Sequence, residues 1–552
     1  MAKNRSKCGI NSTSKIIQGY LASHDNVLRL NNKQENFNNE FFCSGNLEIA
    51  DEYKELKIAT PILDALENYI NNPSVPLHIP GHAKGEGIFP KFKKLIGQRA
   101  ISLDTTDEFD NLGTLHPADG PIAKSQELTA QTFGASKSFF LINGSTVGNL
   151  ALALTATKEN QKVIIGRNCH RSVISGLVFT GANPIWVVPE RLDEWGIWGA
   201  INPQEIKRLL DKNPDVGLVW ITNPTYEGVV SDIASISSIC KEKNVTLIVD
   251  EAHGCVWKFN KNLPTSALDN GADAVVHSMH KTGGSFSQSS VLHLGKNSSI
   301  NPDELETNLR MLQSTSPSYI LLASLDAARA YLSSQFGLNQ LGNAVENANL
   351  IRESLNTLPG VKCLSPKNNI FIDPTKIYLK IDGLSGKRLE SILEIEYHIE
   401  VEAATDVGIL ALSNIGNTHG ELEYFWECIK SIVNSNYSDI TYLEKIKYMP
   451  FHIPEIVCTP RAAYMSQKEK IPSKECIGRI CAEIIAECPP GIPILMPGEK
   501  ITLQHLPYLT KKESICVAKV PKAHSKVSNP SNQCHSEGFS PKNLTCDDKN
   551  EN

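Results

Sequence analysis

"VGLVWIT" (216–222), "SDIASISSICKEKN" (231–244) and "TLIVD" (246–250) follow one another closely. The first and third are apolar at nearly every position, as strands buried on both faces must be. The middle stretch has the length and spacing of a crossover helix. Strand, helix and strand in that order form a parallel βαβ unit. Outward from this unit the pattern repeats, with "SFFLI" (138–142), "KVIIG" (162–166) and "PIWVV" (184–188) before it and "AVVHS" (274–278) and "SSVLHL" (289–294) after it. The fold class expected is therefore α/β, with a mainly parallel sheet covered by helices over residues 56–335. A smaller α/β domain is expected over 336–445, where "KIYLKID" and "GILALSNI" read as strands and "SGKRLESILEIEY" and "HGELEYFWECIKSIV" as helices. A third, α+β unit over 446–515 has "SKECIGRICAEII" (473–485) as its helix. Residues 1–55 read as an arm, with a transit peptide the rarer alternative, and 516–552 as a disordered tail rich in Lys, Ser, Asn and Pro.

The totals exclude several functions. With a net charge of −6 there is no basic surplus to neutralise phosphates, so a nucleic-acid partner is not expected. No apolar run approaches the eighteen or so residues that span a bilayer, and no membrane association is expected. The 14 cysteines form no CxxC pair or Cys/His cluster at zinc spacing, so neither a metal site nor a disulfide framework is implied. Cys476, Cys481 and Cys488 read as small buried side chains of one helical segment. A reducing, cytoplasmic location follows.

Chemistry-bearing residues fall where parallel sheets place ligands, at the carboxyl ends of the strands. "NGSTVGN" (143–149) opens a helix after "SFFLI", with Ser145 and Thr146 offering hydroxyl and N–H donors at its positive end. Alone, it also describes an ordinary helix cap. Asp250 closes "TLIVD", where a buried carboxylate needs a partner such as a protonated ring nitrogen, and His253 follows. His170 in "RNCH" could lay its ring on a planar ligand, or be a satisfied loop histidine. Lys281, in "HSMHKTGGSFSQSS" (277–290), stands among small residues at a strand end, where a lowered pKa makes an amine nucleophilic. A phosphate cradle, an acid for a ring nitrogen, a stacking imidazole and a Schiff-base lysine together describe a pyridoxal 5'-phosphate site.

The wording of these stretches resembles the Orn/Lys/Arg decarboxylase family of fold-type-I pyridoxal-phosphate enzymes. The matching stretches are "LHIPGHAKGEG" (77–87), "LDTTDEFDNLGTLHPADGPI" (103–122), "FGASKSFFLINGSTVGN" (133–149), "GRNCHRSV" (166–173), "TNPTYEGVVSDI" (222–233), "IVDEAHG" (248–254), "SMHKTGGSFSQSS" (278–290), "STSPSY" (314–319) and "PPGIPILMPGE" (489–499), in the family's order. The resemblance implies that Lys281 bonds the cofactor aldehyde, that Ser145, Thr146, Ser278 and His280 hold phosphate, that His170 stacks on the ring and that Asp250 pairs with its nitrogen. His253 stands where other members often carry an aromatic residue. Family sites lie at a dimer interface, so a homodimer or higher homo-oligomer is implied, with Ser314 reaching the partner's phosphate.

The reaction implied is α-decarboxylation of a small basic amino acid, arginine before lysine and ornithine, yielding CO2 and an amine that feeds polyamine synthesis. Lys281 or His280 returns a proton to the α-carbon, and Glu499, with Asp107 and Glu108 behind it, is the acid expected for the substrate's cation. Two stretches depart from the family's pattern, "GHAKG" (81–85), with its lysine displaced to Lys84, and "TDEFDN" (106–111); both bear on substrate range. The chain resembles the shorter form of the family, without the amino-terminal wing. Rival readings are an aminotransferase, which would need an arginine clamp between 360 and 445, a cysteine desulfurase, which would need a cysteine on a mobile loop, and a catalytically silent regulatory relative.

Overall fold

The apolar runs become the strands of one seven-stranded sheet. In the computed structural model, which describes residues 58–72, 74–106, 111–366, 370–435, 453–486, 491–509 and 512–519, these are β1 (Lys137–Leu141), β2 (Lys162–Gly166), β3 (Asn183–Val187), β4 (Leu218–Thr222), β5 (Thr246–Asp250), β6 (Ala274–His277) and β7 (Ser290–Leu294). Their order across the sheet is β1-β7-β6-β5-β4-β2-β3. β2 pairs in parallel with β3 and β4, and β5 with β4 and β6. Only β7 among them runs against its neighbours, β1 and β6. Its amino end therefore lies beside the carboxyl ends of the others.

Both faces of the sheet are covered, which is why its strands read as unbroken apolar runs. Leu218, Trp220 and Ile248 pack into the layer that holds helix α1 (Gly144–Ala156) and helix α2 (Arg171–Thr180). Val219, Ile221, Leu247 and Val249 face the opposite layer, with helix α3 (Pro203–Lys212) and helix α4 (Ile233–Glu242). Each such buried side chain contributes roughly 1.5–3 kcal/mol relative to exposure.

A four-stranded antiparallel sheet forms a second core, in the order Val361–Cys363, Lys376–Ile381, Ile409–Leu412, Ala403–Ala404. Helices Gln335–Asn356, Gly386–Tyr397 and His419–Asn434 cover it through Ala348, Ile351, Leu389, Ile392, Phe425 and Ile429. The two strands and two helices expected here are all present.

The helix expected over 473–485 is not. Ser473–Glu475 makes one 3-10 turn, and Gly478 at φ 79° leads out of it. Ile480 and Cys481 then form bridges to Lys500 and Val517, and Ile485–Ala486 pairs with Pro493–Leu495. Pairing with distant strands overrides the local helical pattern. Cys476 and Cys481 are buried beside Ile485, Leu495 and Val517, so their reading as small core side chains survives the loss of the helix. The disordered tail expected from 516 does not begin there, because Ser514–Ala518 pairs as a strand with Lys468–Pro472 and buries Val517 and Ala518. Cys488, the expected arm and the expected tail from 520 onward lie outside the described residues. No described helix is long and apolar enough to cross a membrane.

Candidate active site

Five strand ends meet at one cavity of about 260 Å³. Ser145 and Thr146 reach it from the turn after β1, His170 from the turn after β2, Asp250 and His253 from β5, and Ser278, His280 and Lys281 from β6. Thr222 and Tyr226 line it after β4. Groups separated by more than a hundred residues thus share one wall because their strands all run the same way in one sheet.

Serines crowd the amino end of α1. Ser145 Oγ is 2.7 Å from Ser278 Oγ and donates to Ser290 Oγ at 3.1 Å. Ser290 comes from the reversed strand β7 and was not singled out in the sequence. The first N–H groups of a helix find no partner within it. That of Gly144 donates to the Gln288 carbonyl at 2.8 Å, and the next two belong to cavity-lining Ser145 and Thr146.

Asp250 is buried at the cavity floor. Its Oδ2 accepts from Asn149 Nδ2 at 3.0 Å, and its Oδ1 accepts from the Ala252 N–H at 3.2 Å. Asn149 also donates to Ser172 Oγ at 2.9 Å, and Ser172 lies 2.7 Å from His170 Nδ1. The Ser172 N–H donates to that same nitrogen at 3.2 Å, so His170 Nδ1 is the acceptor and Nε2 carries the proton of the neutral ring. Burial holds the His170 pKa below the usual histidine value, against the pull of Asp250. Asn149 ties the acid to the imidazole, a role its place at the end of "NGSTVGN" did not announce.

Lys281 stands on a four-residue helical turn, Met279–Thr282. Two glycines follow it, and Gly283 answers why. A Cβ there would sit 2.9 Å from the Met279 carbonyl oxygen and 3.0 Å from Cys255 Sγ. Lys281 Nζ is 3.0 Å from His253 Nε2. Desolvation lowers its pKa, while Asp250 and Glu402 oppose the shift. His280 donates from Nδ1 to the Ser289 carbonyl at 2.8 Å, which leaves Nε2 as the lone-pair nitrogen of its neutral form. Burial also lowers the His280 pKa.

The remaining expected residues are scattered. Ser314 is exposed beside this wall, its N–H donating to Asn143 Oδ1 at 3.4 Å. Asp107 and Glu108 lie outside the described residues. Lys84 donates to Ser74 Oγ at 3.1 Å, away from the cavity lining. Glu402, which the sequence reading passed over, accepts the Tyr226 hydroxyl from an exposed position on the second sheet.

Glu499 lies apart from this cavity. It is 1% exposed and does not line the cavity. Its Oε2 accepts from the Met496 N–H at 2.9 Å and from Arg167 Nη2 at 3.3 Å, and Arg167 also donates to the Pro493 carbonyl at 2.6 Å. The pair anchors the 491–499 segment through Oε2, while Oε1 is buried with no hydrogen-bond partner and away from the cavity lining. Removing one partner of a buried ion pair typically costs about 3–5 kcal/mol. Glu499→Ala is therefore expected to lower the unfolding free energy read from urea titration by about 3–5 kcal/mol, with a lower midpoint and little change in substrate KM. A raised KM at an unchanged midpoint would return Glu499 to the substrate.

The donor set fits pyridoxal phosphate: hydroxyls at a helix amino end for a phosphate, a buried carboxylate for a ring nitrogen, an imidazole between them and an amine opposite. Sheet and site together define the class, the fold-type-I pyridoxal-phosphate enzyme fold. A lysine decarboxylase of Francisella novicida has that fold with a TM-score of 0.73 at 20% identity, covering 84% of this chain and 81% of that one. The family model "Orn/Lys/Arg decarboxylase, major domain" matches residues 60–381, and "Orn/Lys/Arg decarboxylase, C-terminal domain" matches 443–521. An arginine decarboxylase of Bacillus subtilis is 36% identical over 460 residues, covering 82% of this chain and 93% of that protein. A lysine decarboxylase of Pseudomonas aeruginosa is 25% identical over 555 residues, covering 80% of this chain and 74% of that protein. The chain belongs to the Orn/Lys/Arg decarboxylase family, as its motifs led us to expect.

Proposed function

We propose that the chain decarboxylates a basic amino acid with pyridoxal phosphate, using arginine in preference to lysine. The observation that carries this reading is the meeting of Lys281, Asp250, His170 and the Ser145–Ser278–Ser290 cluster at one cavity. The likeness to arginine decarboxylases over more than four-fifths of the chain supports the preference. When bound, the cofactor supplies an aldehyde for the substrate amine and a ring that takes up the electron pair left by CO2.

The protein's own groups do the rest. Ser145, Thr146 and Ser278, with the amino end of α1, hold the phosphate. Asp250, oriented by Asn149 and the Ala252 N–H, keeps a proton on the ring nitrogen. His170, fixed by Ser172, presents its ring face to the cofactor. Lys281 would hold the aldehyde through its amine, and once released its Nζ would be the group placed to return a proton to the α-carbon. His280 is less suited to that step, because its neutral form donates from Nδ1 to Ser289 and holds no proton on Nε2.

Supplying the protein separately with arginine, lysine and ornithine tests the reading. The expected result is CO2 with the matching amine, fastest from arginine. Keto-acid formation without CO2 would replace the decarboxylase with an aminotransferase, and fastest turnover of lysine would reverse the order of substrates.

A further inference from the structure

Three side chains connect the cavity to the second sheet. Lys281 Nζ lies 3.0 Å from His253 Nε2, and His253 Nδ1 lies 3.1 Å from Lys376 Nζ. Lys376 also donates to the Tyr226 carbonyl at 2.8 Å. The reaction described above makes no use of Lys376, yet the residue is 2% exposed. Lysine is almost never buried so fully without a specific partner. Its stem lies against Gly228, whose φ is +100°; a Cβ there would stand 2.7 Å from Lys376 Cδ. The backbone of the "TNPTYEG" turn is thus shaped around this side chain.

Counting protons decides what the chain of contacts can be. An ammonium only donates, and a neutral imidazole has one N–H and one lone pair. Two ammonium groups would each need a lone pair from a ring that has one. Protonating the ring instead is disfavoured, since burial and both lysines hold the His253 pKa well below the usual value. One lysine must therefore be an uncharged amine. Asp373, Glu402 and Glu227 surround Lys376, whereas Asp250 and Glu402 act on Lys281. Burial draws Lys376 down to about 8, a larger fall than that of Lys281, yet with Asp373, Glu402 and Glu227 acting on it the amine is still charged at neutral pH, and its two acceptors, the Tyr226 carbonyl and His253 Nδ1, suit a donor. His170 and His280 complete the titratable surroundings of the His253 ring.

We infer that Lys376 is a positioning residue: its ammonium donates to His253 Nδ1, so that His253 Nε2–H points at the Lys281 lone pair and holds that amine uncharged and nucleophilic. The inference rests on the reading of Lys281 as the aldehyde-binding amine. In this arrangement Tyr226, His253 and Lys376 set the protonation state of Lys281 before any ligand arrives. The second sheet thereby takes part in the chemistry of the first.

Competitive acetylation of the cofactor-free full-length protein, read at the Lys281 peptide by mass spectrometry as pH is varied, titrates this amine without turnover. The wild-type midpoint is expected below the ordinary lysine value of about 10.4. Lys376→Met removes the charge and releases Nδ1, and is expected to move the midpoint up by about one pH unit, a roughly tenfold loss of labelling near neutral pH. His253→Phe cuts the link while leaving Lys376 in place, and is expected to shift the midpoint in the same direction; it decides the matter if Lys376→Met does not fold. A wild-type midpoint at or above the ordinary value, or an unchanged midpoint in either folded variant, overturns the inference. With cofactor still found on Lys281 and CO2 still released, that result would leave the functional reading standing; loss of both would reject the reading itself.

Discussion

Lys281→Ala is expected to abolish CO2 release, by roughly four orders of magnitude or more, the scale seen when a covalent nucleophile is deleted. Its amine is the proposed nucleophile of the cavity wall, desolvated and 3.0 Å from His253 Nε2. No neighbour replaces it, because Lys376 is on the far side of the His253 ring and donates to the Tyr226 carbonyl. The fold should survive. Truncating a partly buried lysine removes a costly desolvated amine along with one hydrogen bond, so stability is expected to change by no more than about 1 kcal/mol. Turnover and denaturant midpoint, measured together, separate the two effects. Activity within tenfold of wild type would show that another amine carries the chemistry.

Asp250→Asn is the second large effect. The amide nearly matches the carboxylate in size, but it removes the charge proposed to keep a ring nitrogen protonated. A loss of roughly 10²–10³ in kcat is expected, the scale of removing one preorganised electrostatic contact. The substitution also disturbs an acceptor that already holds two donors. Asp250 takes one donor on each oxygen, Asn149 Nδ2 and the Ala252 N–H. An amide can accept from only one of them, and the unmatched donor costs about 1–3 kcal/mol. Steady-state kinetics with saturating cofactor, alongside urea unfolding, reads both numbers. Wild-type kcat in the folded variant would remove Asp250 from the chemistry.

The parts of this molecule that were legible are those whose signal is local or periodic. β2, β4, β5 and β6 are buried on both faces and read as apolar runs, and a residue ending such a run lands at the carboxyl edge of the sheet. That rule alone placed Ser145, His170, Asp250 and Lys281 together. Ser290 was missed because its strand runs the other way, and strand direction leaves no mark on an apolar run. The burial of Glu499 was hidden for a related reason. "PGE" looks like an exposed turn, and what buries it is Arg167, 332 residues earlier in the chain. Lys376 opens the strand run "KIYLKID" like any edge lysine, and only folding brings it to His253, 123 residues away. In the 473–485 stretch a helical pattern yielded to bridges with Lys500 and Val517, which local spacing cannot report.

The central claim is a bond at one nitrogen. Supplying the full-length protein with pyridoxal phosphate, reducing it with borohydride and mapping the added mass on its peptides measures that bond directly. The account predicts the mass on the peptide bearing Lys281 and on no other. Cofactor fixed to Lys376 or to a surface lysine, with Lys281 unmodified, would contradict it.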